Sequence, residues 1–251
     1  MPLAVGIVAR KVSAPFVPTD LANLIGWWDA SDASTFTFSS GAEVSQWRDK
    51  SGNARHFAQA TAGNQPTRAV VTQNGLPGVT FATSDFMDVD ATTDAIDVSP
   101  WTVFAVVKHN TAVDTDGRIL TSRISATGTA DTACAILIYR SGTTNNISAF
   151  SAGTFANTAT GSTSAIIVGS RYNGTNIYSR VGAGAESTGK AASASANVRY
   201  LRMGAVCQST SNPPGGSTTN NYEGAIFEMF LYNADVTVSG PITYLQNKWA
   251  V

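Results

Sequence analysis

Residues 24–59, LIGWWDASDASTFTFSSGAEVSQWRDKSGNARHFAQ, constrain the fold more than any other part of the chain. An apolar entry leads into Trp27 and Trp28. Asp29 and Asp32 follow in a Ser/Ala-rich turn, then a strand-like EVSQW, then the turn Asp49-Lys50-Ser51-Gly52-Asn53. Gly and Asn tolerate positive φ, so this last stretch is a turn with a mechanism. Tryptophans brought so close by strand and turn carry an apolar area that one sheet cannot cover, so a second layer is required.

The rest of the chain repeats strand and turn. Strands are expected over 25–29, 44–48, 69–72, 78–81, 86–89, 101–109, 118–123, 133–139, 146–150, 164–172, 176–181, 198–206 and 222–232. The run WTVFAVVKH over 101–109 is apolar on both alternating faces, the mark of a central strand covered on two sides. YEGAIFEMFLY over 222–232 behaves alike, interrupted by Glu223 and Glu228. Asn173-Gly174 between two strand runs signals a hairpin. One helix is expected, in SGPITYLQNKWAV: Ser239 can cap it, Pro241 fits its first turn, and Ile242, Leu245 and Trp249 share a face. Many strands with one terminal helix predict an all-β, two-sheet antiparallel sandwich over residues 21–251. Residues 1–20 read as an extended arm. Pro2, Pro15 and Pro18 break helix, and Val5, Ile7, Val8 and Phe16 make the arm apolar enough to pack on its own domain or on a neighbouring subunit.

Composition narrows the function classes. Of 251 residues 43% are hydrophobic but only 13% are charged, so Ser, Thr, Asn, Gln and Gly must dominate the surface. A net charge of −1 leaves no basic stripe for phosphates, and no nucleic-acid partner is expected. The N-terminal apolar run is too short for membrane insertion and lacks the charge order of a secretory signal. Cys134 and Cys207 sit in apolar runs without metal-ligand spacing, and either buried thiols or a disulfide fit them.

The order W-x-D-A-S-D at Trp27–Asp32, then V-x-x-W-x-D-K-S-G-N at Val44–Asn53, resembles laminin-G-like, concanavalin A-like jelly-roll domains of bacteriophage structural proteins. Asn74-Gly75-Leu76-Pro77-Gly78-Val79-Thr80-Phe81, the strand 101–108 and the segment 224–233 extend the likeness over residues 24–250. The resemblance implies a concanavalin A-like jelly roll and a virion part, in head decoration or a tail fibre or tip. Its partners would be other virion proteins and itself, as a homo-oligomer such as a trimer, and host-surface polysaccharide. A polar, sparsely charged surface without an export signal fits a particle assembled in the host cytoplasm and released by lysis. Two alternatives stand beside it: a free-standing lectin-like module, and a polysaccharide-degrading hydrolase.

Catalytic chemistry finds little support. Glycosidases of this sandwich shape pair glutamates in E-x-D-x-E, and acid–base cleavage needs two carboxylates at a set separation. This chain has Glu43, Glu186, Glu223 and Glu228 only, and Glu223 and Glu228, five apart, would face opposite sides of one strand. His56, after the DKSGN turn, reads as structural, and His109 ends a strand. The expectation is a protein with no catalytic residues and no cofactor. Calcium stays open: Asp85, Asp88, Asp90, Asp94 and Asp97 crowd one segment, and Asp114 and Asp116 form an acidic turn, although solvated turn aspartates explain both. Glycan or partner contacts are expected in loops, from Tyr172, Asn173, Asn176 and Tyr178 at the hairpin and from Asn221 and Tyr222 after a Pro-Pro-Gly-Gly loop. Trp27, Trp28, Trp47 and Trp101 are assigned to the core.

Overall fold

The structure is a computed structural model that describes residues 15–90, 99–110, 117–123, 137–141, 146–151, 154–159, 162–192, 200–205 and 221–251. Its strands are β1 (Leu24–Asp29), β2 (Phe36–Ser40), β3 (Glu43–Trp47), β4 (Phe57–Ala58), β5 (Thr67–Gln73), β6 (Leu76–Phe81), β7 (Met87–Asp90), β8 (Trp101–His109) and β9 (Gly117–Arg123). Further along come β10 (Leu137–Ser141), β11 (Asn146–Ser151), β12 (Thr154–Ala159), β13 (Ile166–Tyr172), β14 (Asn176–Val181), β15 (Lys190–Ala191), β16 (Tyr200–Met203) and β17 (Gly224–Tyr232). Among the described residues there is one α-helix, α1 (Gly240–Trp249).

Pairing follows two antiparallel series. One runs β1 and β6 on either end of β17, then β8, β13, β14 and β15. The other runs β4, β7, β16, β9, β10, β11 and β12. Strands β2, β3 and β5 join them along one edge. At the far end Thr158 Oγ1 on β12 meets Ser179 Oγ on β14 at 2.7 Å. This is the expected all-β sandwich with a short terminal helix.

Alternation on β8 explains the layering. Trp101, Val103, Ala105 and Val107 enter a core shared with Met87, Val89, Leu120, Ile147, Leu201 and Met203 of the opposite sheet. Phe104 and Val106 point the other way, into a second cluster with Phe227, Phe230, Ile242, Leu245 and Trp249. The central sheet is therefore apolar on both faces because one meets the second sheet and the other meets α1.

The helix is held at its C-terminus by the Asn74-Gly75 turn, where both residues have positive φ (51° and 73°). Asn74 Nδ2 donates to Lys248 O at 2.9 Å and Gln73 Nε2 to Trp249 O at 2.9 Å, supplying donors to carbonyls that the helix leaves unpaired. The expected Ser239 cap is corrected. Its backbone is already helical (φ −77°, ψ −14°) and its hydroxyl makes no capping bond, because a cap needs extended φ/ψ to aim its oxygen at the first turn.

The Asn173-Gly174 turn is present. Strand β2 was not foreseen: its apolar alternation is only Phe36 and Phe38 before Ser39-Ser40, and one of its five residues is buried. Among the described residues no helix is long and apolar enough to cross a membrane.

Candidate functional site

The two halves of the tryptophan-bearing segment fold onto each other. Asp49 Oδ1 accepts from the backbone N–H groups of Trp27 and Ser51, each at 2.8 Å, and Lys50 N–H donates to Trp27 O at 2.7 Å. Asn53 Nδ2 donates to Leu24 O at 2.9 Å, and His56 Nδ1 accepts from Asp49 N–H at 3.0 Å. Lys50 then reaches across the Trp27 ring, 4.5 Å from its centroid, to Asp29 (3.0 Å) and Asp32 (2.9 Å). The turn motif is a staple for β1.

The staple continues into a buried charge cluster. Asp29 on β1 stands opposite Glu228 on β17 in the register of the two strands. A bulge makes this possible: Ile226 pairs with Val107 but Glu228 pairs with Val106, so the strand skips a residue. An extra residue reverses the side-chain alternation, and Glu228 leaves the inter-sheet core for the face under α1. The expectation that Glu223 and Glu228 oppose each other is thereby corrected. Glu223 lies before β17 and accepts from Thr83 Oγ1 at 3.0 Å, and among the described residues the two glutamates share no partner.

Glu228 has no solvent exposure. Its Oε1 accepts from Trp27 Nε1 (2.7 Å) and Tyr244 OH (2.9 Å), its Oε2 from Trp249 Nε1 (2.6 Å) and Lys248 Nζ (2.8 Å). Lys248 Nζ also holds Asp29 Oδ1 at 2.7 Å, bridging the two carboxylates. Burial pushes the Glu228 carboxyl up, and the charge of Asp29 adds to it against the pull of Lys248. Burial acts on Asp29 in the same sense, but the Lys248 charge and hydrogen bonds from Lys248, Ser31 and Lys50 outweigh it and hold that carboxyl low. Opposite shifts on neighbouring carboxylates are what an acid and a base require. Here, though, both oxygens of Glu228 are taken twice over, and the arrangement works as a clamp that pins α1 to the sheet.

The residues expected in loops divide. Tyr172 is a core residue, because it ends β13 on the same alternating face as Val168. Asn221 and Tyr222 are also buried: Asn221 Nδ2 donates to Thr83 O and Tyr222 OH to Lys108 O at 3.0 Å. These three are corrected as glycan contacts, since a ring or amide sealed in the interior presents no face to a ligand. Asn173 Oδ1 is used by the turn itself, accepting from the N–H groups of Thr175 (3.0 Å) and Asn176 (2.8 Å). Tyr178 stacks under the Arg171 guanidinium at 3.8 Å and lies on Gly189, where a Cβ would come within 2.7 Å of its ring. Arg171 is in turn fixed by Glu186 (2.6 Å) and Asp235 (2.6 Å). The hairpin is a built corner in which Asn173, Asn176 and Tyr178 stay half-exposed.

Of the acidic run, Asp85 accepts from Ala82 N–H at 2.8 Å and Asp88 pairs with the buried Arg202 at 2.7 Å. Among the described residues no three His, Cys, Asp or Glu side chains converge as metal ligands. Asp94, Asp97, Asp114, Asp116, Cys134, Cys207, Val5, Ile7 and Val8 lie outside the described residues. Phe16 packs on its own domain, against Gly240 and edge-on to Tyr244 with centroids 6.2 Å apart. Trp28, Trp47 and Trp101 are fully buried, whereas Trp27 is half-buried with its indole N–H on Glu228.

Among the described residues, depressions open to solvent on the helix-bearing side. A groove of about 640 Å³ lies between the N-terminal turn and α1, lined by Pro15, Phe16, Asp20, Thr243, Tyr244, Asn247 and Lys248. It sets an aromatic wall beside an exposed carboxylate, hydroxyl and amide, groups able to bond sugar hydroxyls. A smaller cleft of about 260 Å³ lies over the start of β17 and includes Thr80, Lys108, Asn110 and Thr163. Neither groove was legible beforehand. The i, i+4 spacing of Thr243 and Asn247 on an amphipathic helix is the one local signal that they share an exposed face.

No protein-family profile and no curated protein matches the chain. Solved structures do. A GH54 α-L-arabinofuranosidase soaked with 4-nitrophenyl α-L-arabinofuranoside superposes with a TM-score of 0.60 at 15% identity, over 83% of this chain and 51% of that one. An arabinofuranosidase complexed with arabinofuranosyl-α-1,2-xylobiose gives 0.58 at 16% identity with the same coverage. Trypanosoma rangeli sialidase in complex with sialic acid gives 0.59 at 14% identity, over 95% of this chain and 36% of that one. The chain thus spans about half the length of the arabinofuranosidases and about a third of the sialidase.

At such identity the fold is what is shared, and it is a β-sandwich found in carbohydrate-processing proteins. The expectation of a non-enzymatic shell is corrected by these neighbours. The sandwich recurs in parts of glycoside hydrolases and a sialidase at 14–16% identity, so this fold does not by itself mark a chain as non-enzymatic. None of these named structures is a bacteriophage protein.

Proposed function

We propose that this chain recognises carbohydrate through its β-sandwich, with the groove between Phe16 and α1 as the saccharide site. The observation that carries the reading is the match of 83–95% of the chain to parts of proteins crystallised with an arabinofuranoside and with sialic acid. The groove supplies suitable chemistry: the Phe16 face for the apolar side of a sugar ring, and Asp20, Thr243 and Asn247 for its hydroxyls. Titration calorimetry with arabinofuranosyl-α-1,2-xylobiose and with sialic acid, beside a glycan array, tests it. Binding that falls about tenfold in Phe16→Ala is expected, the loss of one aromatic contact. Silence toward every saccharide at millimolar concentration refutes it.

A second reading, cleavage of a glycosidic bond, is supported by the sandwich shared with parts of a GH54 arabinofuranosidase and a sialidase. Release of 4-nitrophenol from 4-nitrophenyl α-L-arabinofuranoside, or of sialic acid from a sialoside, by the purified chain would establish it. No turnover of either substrate removes it.

A further inference from the structure

The cleft of about 260 Å³ has a construction unlike that of the groove. Three strands lie side by side beneath it. In register, Ala225 on β17 is flanked by Thr80 on β6 and by Lys108 on β8. All three lie on the face that carries the α1 cluster, because their neighbours Val79, Ile226 and Val107 enter the opposite core. The small Ala225, with Gly224 before it, forms a floor. Thr80 and Lys108 are the walls, two strand spacings or about 10 Å apart. Val71, Asn110 and Thr163 complete the rim.

Its charge is one-sided. No lining residue is acidic, while Lys108, Asn110, Thr80 and Thr163 all bring donors. Lys108 makes no ion pair or side-chain hydrogen bond with any described residue, in contrast to Lys50 and Lys248, which are each held by two carboxylates. Thr80 Oγ1 is buried without a hydrogen-bond partner. An ammonium and a cluster of neutral donors around a floor of ring width suit a negatively charged group carried on something the size of one sugar ring.

We infer that this cleft binds the carboxylate of an acidic monosaccharide unit, with Lys108 as the charge partner and the ring resting over Ala225. The inference deepens the carbohydrate reading and rests on it, but it uses a different set of residues. It therefore predicts a preference for glycans bearing uronic or sialic acid over their neutral counterparts.

D-glucuronate and D-glucose form a matched pair, differing at one carbon between carboxylate and hydroxymethyl, and acetate supplies the carboxylate alone. The three are titrated into the full chain, its Lys108→Gln variant and its Phe16→Ala variant, followed by amide chemical-shift changes at Lys108, Ala225 and Thr80. Glucuronate is expected to shift these amides and to bind about tenfold tighter than glucose, the worth of one charge-assisted hydrogen bond. Lys108→Gln should abolish that preference and Phe16→Ala should leave it intact. Lys108 lies at a half-buried strand end, so an unchanged melting temperature certifies that the variant is folded. Equal binding of glucose and glucuronate, acetate binding as tightly as glucuronate, or a preference that survives Lys108→Gln each overturns the inference. If the preference is missing while Phe16-dependent saccharide binding persists, this inference alone falls. If no saccharide binds anywhere, the proposed function falls with it.

Discussion

Replacing Lys248 with Met should expose how the buried cluster is balanced. Met keeps the aliphatic stem near the Tyr244 and Trp249 rings, whose centroids lie 5.6 and 5.1 Å from the ammonium. What it removes is a cation 2.7 Å from Asp29 and 2.8 Å from Glu228, both nearly or wholly sealed from water. Three carboxylates, Asp29, Asp32 and Glu228, would then share Lys50, which reaches only the first two. Stranding a buried charge in this way costs about 3–5 kcal/mol. At about 2–4 °C per kcal/mol for a chain this long, the melting temperature should fall by about 6–20 °C at pH 7.5.

The loss should depend on pH, with a definite sign. Glu228 already binds its proton more readily in the folded state than when unfolded, through burial and the nearby Asp29 charge. Losing Lys248 strengthens that tendency. A carboxyl raised on folding destabilises the protein above its folded value and is relieved as pH falls toward the unfolded one, about 4.3. The gap between variant and wild type should therefore narrow between pH 7.5 and pH 5. Adding Glu228→Gln to Lys248→Met removes the stranded charge, so the double variant should melt higher than Lys248→Met at pH 7.5. Calorimetry with tryptophan fluorescence follows all three, since Trp27 and Trp249 donate directly to Glu228. A shift below 2 °C, or one that ignores pH, would refute the clamp.

Asp32 is held down to about 2, first by the Ser34 hydroxyl and then by Lys50. Carboxyl-detected NMR should find its midpoint near that value, and Ser34→Ala should move it back toward the ordinary aspartate range. Because its folded value is depressed, the stability it contributes is present above about pH 4 and lost as pH falls toward 2. Arg171→Lys gives up the forked contact with Glu186 while keeping the charge. It should cost about 1–2 kcal/mol and lower the melting temperature by several degrees, because lysine cannot span both carboxylate oxygens and also reach Asp235.

Much of the frame was legible in residues. WTVFAVVKH told of a strand covered on both faces, and β8 occupies the expected positions. Ile242, Leu245 and Trp249 announced the buried stripe of α1. Tyr172 could have been placed inside by the period-2 rule that places Val168, and reading it as a loop residue ignored its parity. Strands β4 and β15, two residues each, carry too little pattern to be read.

The sites were not legible in the same way. Spacing alone put Glu223 and Glu228 on opposite faces, and a bulge that forms only when β17 lies against β8 reversed the outcome. Asp29 and Glu228 sit in recognisable motifs, yet nothing local says that they meet or that Lys248 lies between them. The same holds for Thr80, Ala225 and Lys108, drawn from three strands far apart in the chain. Alternation, turn chemistry and helical periodicity are rules between near neighbours, and they determined which segments are strands and which faces are apolar. Register between distant strands is decided by the sum of all pairings and by how both faces pack. Only the tertiary structure could decide which carboxylates share a lysine and which lysine lines a cleft.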